Sequence, residues 1–201
     1  MFAPQGRMRN CLFVFGLLGA VVNFPEGYSN SYPNTSYKSF QKMINDSYME
    51  RGDEDGLSPN LYIWIWSAVL NVWFLGYLLG TFVTPYYTER FGRKKTLLGS
   101  NFVALLGTVL SFLSVTLSIP ELFFLSRVVS SMSSGISFGA LILFLQEATP
   151  TEYRGLTSFL SENTFIATTV MGIGFGMDAV FGKNLPVLTG NSTFTPINYP
   201  W

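Results

Sequence analysis

The sequence predicts an all-α membrane protein, a bundle of about five transmembrane helices. Three observations carry this expectation. Of 201 residues only 12% are charged, against ~25% in an ordinary soluble domain. A further 48% are apolar, and 16% are aromatic. The charges are also placed so that residues 10–25, 56–88, 96–120, 128–146 and 163–177 contain none. These windows are apolar on all faces instead of alternating, which excludes a strand-built outer-membrane barrel.

The same composition excludes several functions. Twelve Lys plus Arg balance twelve Asp plus Glu, so no net field draws the chain to nucleic acid. With a single cysteine, Cys11, and no histidine, there is no basis for an internal disulfide, a Cys/His metal site or histidine acid–base chemistry. No nucleophile–base pair or phosphate loop stands out either. The expectation is a non-enzyme with no cofactor and no metal, whose first partner is the lipid bilayer. The run Met171 to Met177, MGIGFGM, has the look of a dinucleotide loop, but it lies inside an apolar segment and follows no strand.

The first element spans about residues 10–32. Arg7 and Arg9 ahead of the apolar run Cys11 to Val22 also fit a signal peptide, but no small-x-small cleavage site follows. The helical pattern instead continues until Pro33, which is expected to stop it. Residues 33–60 follow as a loop. The second element, 61–83, has 23 residues, roughly 34 Å of helix at ~1.5 Å per residue against a hydrocarbon core of ~30 Å. The same arithmetic serves 96–119 and 122–145, the latter with Arg127 near its end, where the side chain can snorkel to the interface. The fifth element, 156–180, carries Glu162 inside it, a group that needs a protein-lined or watery setting. Residues 181–201 form a polar tail.

Charge asymmetry orients the bundle. Arg7, Arg9, Arg90, Arg93, Lys94, Lys95 and Arg154 fall on one side, which the positive-inside rule makes cytoplasmic. Residues 1–9 are then a cytoplasmic N-terminus, while the 33–60 loop and the tail are external. The Asn-x-Ser/Thr acceptors at Asn34, Asn45 and Asn191 all fall on the external side, the only side where glycosylation occurs. The secretory route this requires, with spans of this length, suits the plasma membrane. Glycines four apart, Gly76/Gly80, Gly135/Gly139 and Gly172/Gly176, allow close helix–helix approach in a bilayer.

Two charged knots on the cytoplasmic side are more specific. The turn after the second element reads Glu89-Arg90-Phe91-Gly92-Arg93-Lys94-Lys95. The fourth element ends with Phe144, then Glu147, with Pro150 and the pair Arg154-Gly155 beyond it. With Gly27-Tyr28, Asn34, Trp66-Ser67, Gly76, Gly80, Gly176, Asp178 and Gly182, these residues resemble the sugar porter family of the major facilitator superfamily, most closely the N-terminal half of the facilitative glucose transporters. The resemblance covers roughly residues 8–185 and favours a first transmembrane span over a signal peptide. Three places depart from the family pattern: Pro85, Ser126 and Ser131 stand where the family has glycine.

The resemblance implies a major-facilitator bundle and transport of a hexose or similar polyol by alternating access. It implies that Glu89, Arg90, Arg93, Glu147 and Arg154 form an ion-pair lattice that steadies the outward-facing state. Glu162 stands eight residues after Arg154, where the family's glucose carriers hold a sugar-contacting Gln. With Phe165 and Thr169 it makes a stripe at i, i+3, i+7, a candidate substrate-lining face. Glu26 is a second carboxylate expected inside the bundle. About five spans are fewer than the twelve of such a carrier, so the chain reads as a truncated or partial transporter, occupying residues 10–180. Activity would then call for self-association or a second chain. The alternative is a non-transporting membrane protein that associates with and modulates a full-length transporter.

Overall fold

A computed structural model describes residues 5–51, 58–117 and 119–177. The expected tail 181–201, Asp178, Gly182 and the acceptor Asn191 lie outside the described residues. Those described form six α-helices and no strand: α1 (Gln5–Thr35), α2 (Tyr37–Glu50), α3 (Pro59–Phe91), α4 (Arg93–Leu117), α5 (Pro120–Ala148) and α6 (Arg154–Gly176), with a short 3₁₀ turn, Thr151–Tyr153, before α6. Four segments are long and apolar enough to cross a membrane: Leu12–Thr35, Asn60–Phe91, Arg93–Leu117 and Pro120–Ala148. The protein is an integral membrane protein. Helix α6 has 23 residues but is not one of these four, its first half being rich in polar groups from Thr157 to Thr164. It is a fifth, more polar helix packed along α1.

Local sequence accounts for the helix limits. Ser58 caps α3 by accepting from the Leu61 amide at 3.3 Å, with proline in the first turn, where its missing N–H costs nothing. At the other end Gly92 adopts φ +83°, a conformation that side chains disfavour, and turns the chain directly into α4. Proline also opens α5.

Pro33 does not stop α1, which runs through both Pro25 and Pro33 to Thr35. A proline at position 33 cannot donate to the carbonyl four residues back, Ser29. That carbonyl is taken by Arg127 of α5, whose Nη1 donates to it. Membrane helices tolerate proline where a neighbouring helix satisfies the freed group in this way. Arg127 therefore does not snorkel. It is 3% exposed, and its guanidinium lies over the Trp73 ring of α3, 4.4 Å from the centroid. One side chain joins α1, α3 and α5.

The residues expected as a loop, 33–60, contain α2. Phe40, Met43, Ile44 and Ser47 recur on one buried face, and the first three pack on Tyr62, Trp66, Val69 and Phe123. Phe40 lies 4.6 Å from Phe123 and 5.5 Å from Trp66 between ring centroids, separations at which aromatic pairs attract beyond their area. Arg51, just past α2, forms a bidentate pair with Glu121 of α5 at 2.5 and 2.9 Å, and this carboxylate raises the Arg51 guanidinium above its ordinary range.

The glycine pairs mesh as small residues do in membranes. A Cβ on Gly76 would meet the Ser131 hydroxyl, and one on Gly80 the Met132 carbonyl. Conversely, one on Gly135 would lie 2.5 Å from the Tyr77 carbonyl. Helices α3 and α5 therefore touch backbone to backbone. Ser126 and Ser131 are both buried and return their hydroxyls to α5 carbonyls at 2.7 and 3.0 Å, so close packing survives where serine replaces glycine. On the opposite flank of α5, Gly107 of α4 faces Ser130 and Ser133 donates to the Ser100 carbonyl at 2.5 Å. Between α1 and α6, Gly27 faces Thr168 and Gly172 faces Ser31. Asn23, fully buried, donates to the Ser161 carbonyl at 3.0 Å and the Thr164 hydroxyl at 3.1 Å.

Replacing Arg127 by Met leaves the Ser29 carbonyl orphaned and is expected to destabilise the bundle by about 1–3 kcal/mol. Adding Pro33→Ala restores an N–H four residues on and should recover most of that loss. Thermal unfolding of the detergent-solubilised single and double variants reads this directly; equal loss in both would show that Arg127 does not serve the Pro33 gap.

Candidate functional site

Two acidic side chains and a tyrosine, one each from α1, α6 and α3, lie near one another in the bundle. Glu26 is 6% exposed, and its carboxyl group lies near the Tyr77 hydroxyl of α3. Glu162 of α6 lies within electrostatic reach of both. Glu162 is itself exposed, so the cluster has one buried acid and one accessible acid. An acid buried at membrane depth calls for polar neighbours, because an unpaired charge there is costly.

The stripe expected along α6 divides in the structure. Glu162 is exposed, and Phe165, half-buried, packs on Phe138 of α5 with centroids 6.3 Å apart. The Thr169 hydroxyl bonds back to the Phe165 carbonyl at 2.9 Å. Its neighbour Thr168, and not Thr169, reaches across to α1, donating to the Asn23 carbonyl at 3.3 Å. Tyr77 escaped the sequence reading. Its only signal was a hydroxyl placed between Gly76 and Gly80 in an otherwise apolar run.

At the α3–α4 and α5–α6 turns, Arg93 and Glu147 form an ion pair, Nη2 to Oε1 at 2.7 Å and Nε to Oε1 at 2.8 Å. The other expected members stand apart from it. Arg90 donates to the Tyr86 hydroxyl and lies 5.7 Å from the Phe91 ring centroid. Arg154 donates to the Thr149 carbonyl at 3.3 Å, and Glu89 is exposed. At the other end of the bundle Asn34 is exposed at the end of α1, and Asn45 lies on α2 with its amide 3.3 Å from the Met49 sulfur. Among the described residues no group of three acidic, Cys or His side chains could hold a metal.

These features define a helical integral membrane protein with polar side chains between its helices. The family model described as "Sugar (and other) transporter" matches residues 11–197, and the chain belongs to this family. It is 31% identical over 180 residues to human solute carrier family 2, facilitated glucose transporter member 7, covering 89% of this chain and 35% of that protein. It is 28% identical over 176 residues to facilitated glucose transporter member 1 of Gallus gallus, covering 86% and 36%. With human member 9 the identity is 27% over 185 residues, covering 90% and 34%. The chain thus spans about a third of the length of these relatives, matching the resemblance to the N-terminal part of a glucose transporter.

The Arg93–Glu147 pair has side chains 40% and 53% exposed, and exposed pairs contribute only ~0–1 kcal/mol. A double-mutant cycle of Arg93→Ala and Glu147→Ala should therefore give a coupling below about 1 kcal/mol in unfolding. A larger coupling would make the pair a structural tie.

Proposed function

We propose that this bundle forms one wall of an alternating-access carrier for a hexose or similar polyol. The observation that carries the reading is the Glu26–Tyr77–Glu162 cluster within a sugar-transporter bundle. Sugars present rows of hydroxyl donors, and an ionised carboxylate accepts from them while a phenol both donates and accepts. In this reading Glu162 contacts the substrate, Phe165 offers an apolar face to the ring, and Thr169 lines the same path. A carboxylate accepts only, where a Gln amide would also donate, so Glu162 narrows the choice of substrate to those that donate at that point. Glu147 and Arg93 hold the helix ends at the turn side, with Glu89, Arg90 and Arg154 exchanging partners as the wall rocks. The N-terminus is cytoplasmic in this arrangement, and Asn34, Asn45 and Asn191 are external glycosylation acceptors.

In this reading a complementary wall, such as one from a second copy or a full-length transporter, encloses the substrate with it. The alternative role, a non-transporting subunit that modulates such a transporter, draws on the exposed apolar stripe of α1. Phe13, Leu17 and Val21 are 71%, 57% and 64% exposed there, and a stripe of this kind suits a helical partner as well as lipid.

Uptake of labelled hexose into proteoliposomes holding the purified chain tests the primary reading. Saturable uptake above empty liposomes is expected, with Glu162→Ala lowering it at least tenfold and Glu162→Gln altering selectivity among hexoses more than rate. Uptake equal to empty liposomes from a folded sample would overturn autonomous transport. Uptake appearing only on co-reconstitution with a full-length relative would establish the subunit role.

A further inference from the structure

A second cavity, separate from the Glu26–Tyr77–Glu162 cluster, lies between α1, α4 and α5, with a volume of about 380 Å³. Its walls are mostly apolar, with Phe24, Leu105, Phe112 and Val115 among them, and Arg127 also lines it. Arg127 donates one N–H to the Ser29 carbonyl and lies over Trp73, while its Nε has no partner. A carbonyl and a ring face solvate a cation without neutralising it, and among the described residues no carboxylate pairs with Arg127. The hydroxyls of Tyr32 and Ser111, 3.1 Å apart, line the same cavity, and Tyr32 is within electrostatic reach of the guanidinium. The polar part of the cavity is therefore gathered around one uncompensated positive charge. Elsewhere its rim is hydrocarbon: Leu105 is 59% exposed and Phe112 45%. Such a mouth suits entry from lipid.

We propose that this cavity binds a long-chain carboxylate, with the anionic head on Arg127 and the alkyl chain along α4. A buried cation gains most from an anion that also hydrogen-bonds it, and a guanidinium matches a carboxylate in bidentate fashion. The volume falls at the lower end of the ~300–1,000 Å³ typical of small-ligand sites, which suits one alkyl chain and not the two of a phospholipid. The proposal is independent of the transport reading, because neither Glu26, Tyr77 nor Glu162 lines the cavity.

The test uses the full chain in phosphatidylcholine nanodiscs and a photoactivatable diazirine analogue of palmitate, with labelled peptides mapped by mass spectrometry. Labelling should concentrate on α1, α4 and α5. Unlabelled palmitate should compete at least tenfold better than hexadecanol, which lacks the charge, or phosphatidylglycerol, which carries a charged head on two chains. Leu105→Trp, at an exposed position, fills the cavity without touching Arg127, and labelling should fall at least tenfold. The Pro33→Ala/Arg127→Met double variant removes the cation while supplying the Ser29 carbonyl with an N–H, and should lose labelling equally. Three outcomes would each overturn the proposal. Equal competition by hexadecanol would mean that the head is not read. Better competition by phosphatidylglycerol would place a two-chain lipid there. Undiminished labelling of Leu105→Trp would reduce the signal to partition into the bilayer.

Discussion

The arrangement of this bundle depends on Arg127. A guanidinium at membrane depth is expensive, yet this one is held because it answers a defect elsewhere. Pro33 deprives the Ser29 carbonyl of its helical donor, and Arg127 supplies one. The Trp73 ring then stabilises the cation from the other side. Two features that are each unfavourable alone, a proline inside a helix and a charge inside a bundle, compensate when α1 and α5 take one relative position. Because the Trp73 ring must lie over the same group, α3 is placed as well. A polar constraint thus fixes a register that apolar packing in lipid would leave loose, since lipid tails provide no hydrophobic drive for one helix to prefer another.

Around that constraint the contacts are made by small residues. Gly76 and Gly80 face Ser131 and Met132, Gly107 faces Ser130, and Gly172 faces Ser31. Close approach brings backbones within dispersion range and gives serine and threonine hydroxyls nearby carbonyls to satisfy. The serines of α5 do this without leaving their own helix or by reaching one neighbour. This is why Ser126 and Ser131 can stand in place of glycine: a hydroxymethyl group adds one atom that finds an acceptor in the turn below it.

Much of this was legible from the distribution of charge. Uncharged windows marked the spans, and the glycine pairs marked surfaces that do mesh. What could not be read depended on residues distant in sequence. Arg127 looked free to snorkel because its acceptor is Ser29, 98 positions away. Pro33 looked like a helix stop because nothing nearby in sequence supplies the missing donor. Helix α2 was hidden by Lys38, Lys42 and Asp46, whose charges dilute the short stripe of Phe40, Met43 and Ile44. At the candidate site, Glu26 and Glu162 were both recognisable as acids out of place, but their convergence on Tyr77 is a property of how three helices cross. Of the charged turn residues, sequence proposed five partners, and geometry joins Arg93 to Glu147.

The location of the acidic cluster follows from the same packing. Helices α1 and α6 form one closely packed unit, and α3, α4 and α5 form another. Between the units the contacts are fewer, apolar where Phe165 packs on Phe138 and polar where Arg127 donates to the Ser29 carbonyl. Such a seam is the least costly place in an apolar bundle to admit water or a hydroxyl-bearing solute, because hydrogen bonds already made across it can be exchanged for others. It is also the place where the units can shift without opening a void in the meshed glycine contacts, which tolerate little displacement. In the proposed transport reading, a polar solute and a relative motion of helices make their demands at one locus, where the buried Glu26, the exposed Glu162 and Tyr77 lie near one another.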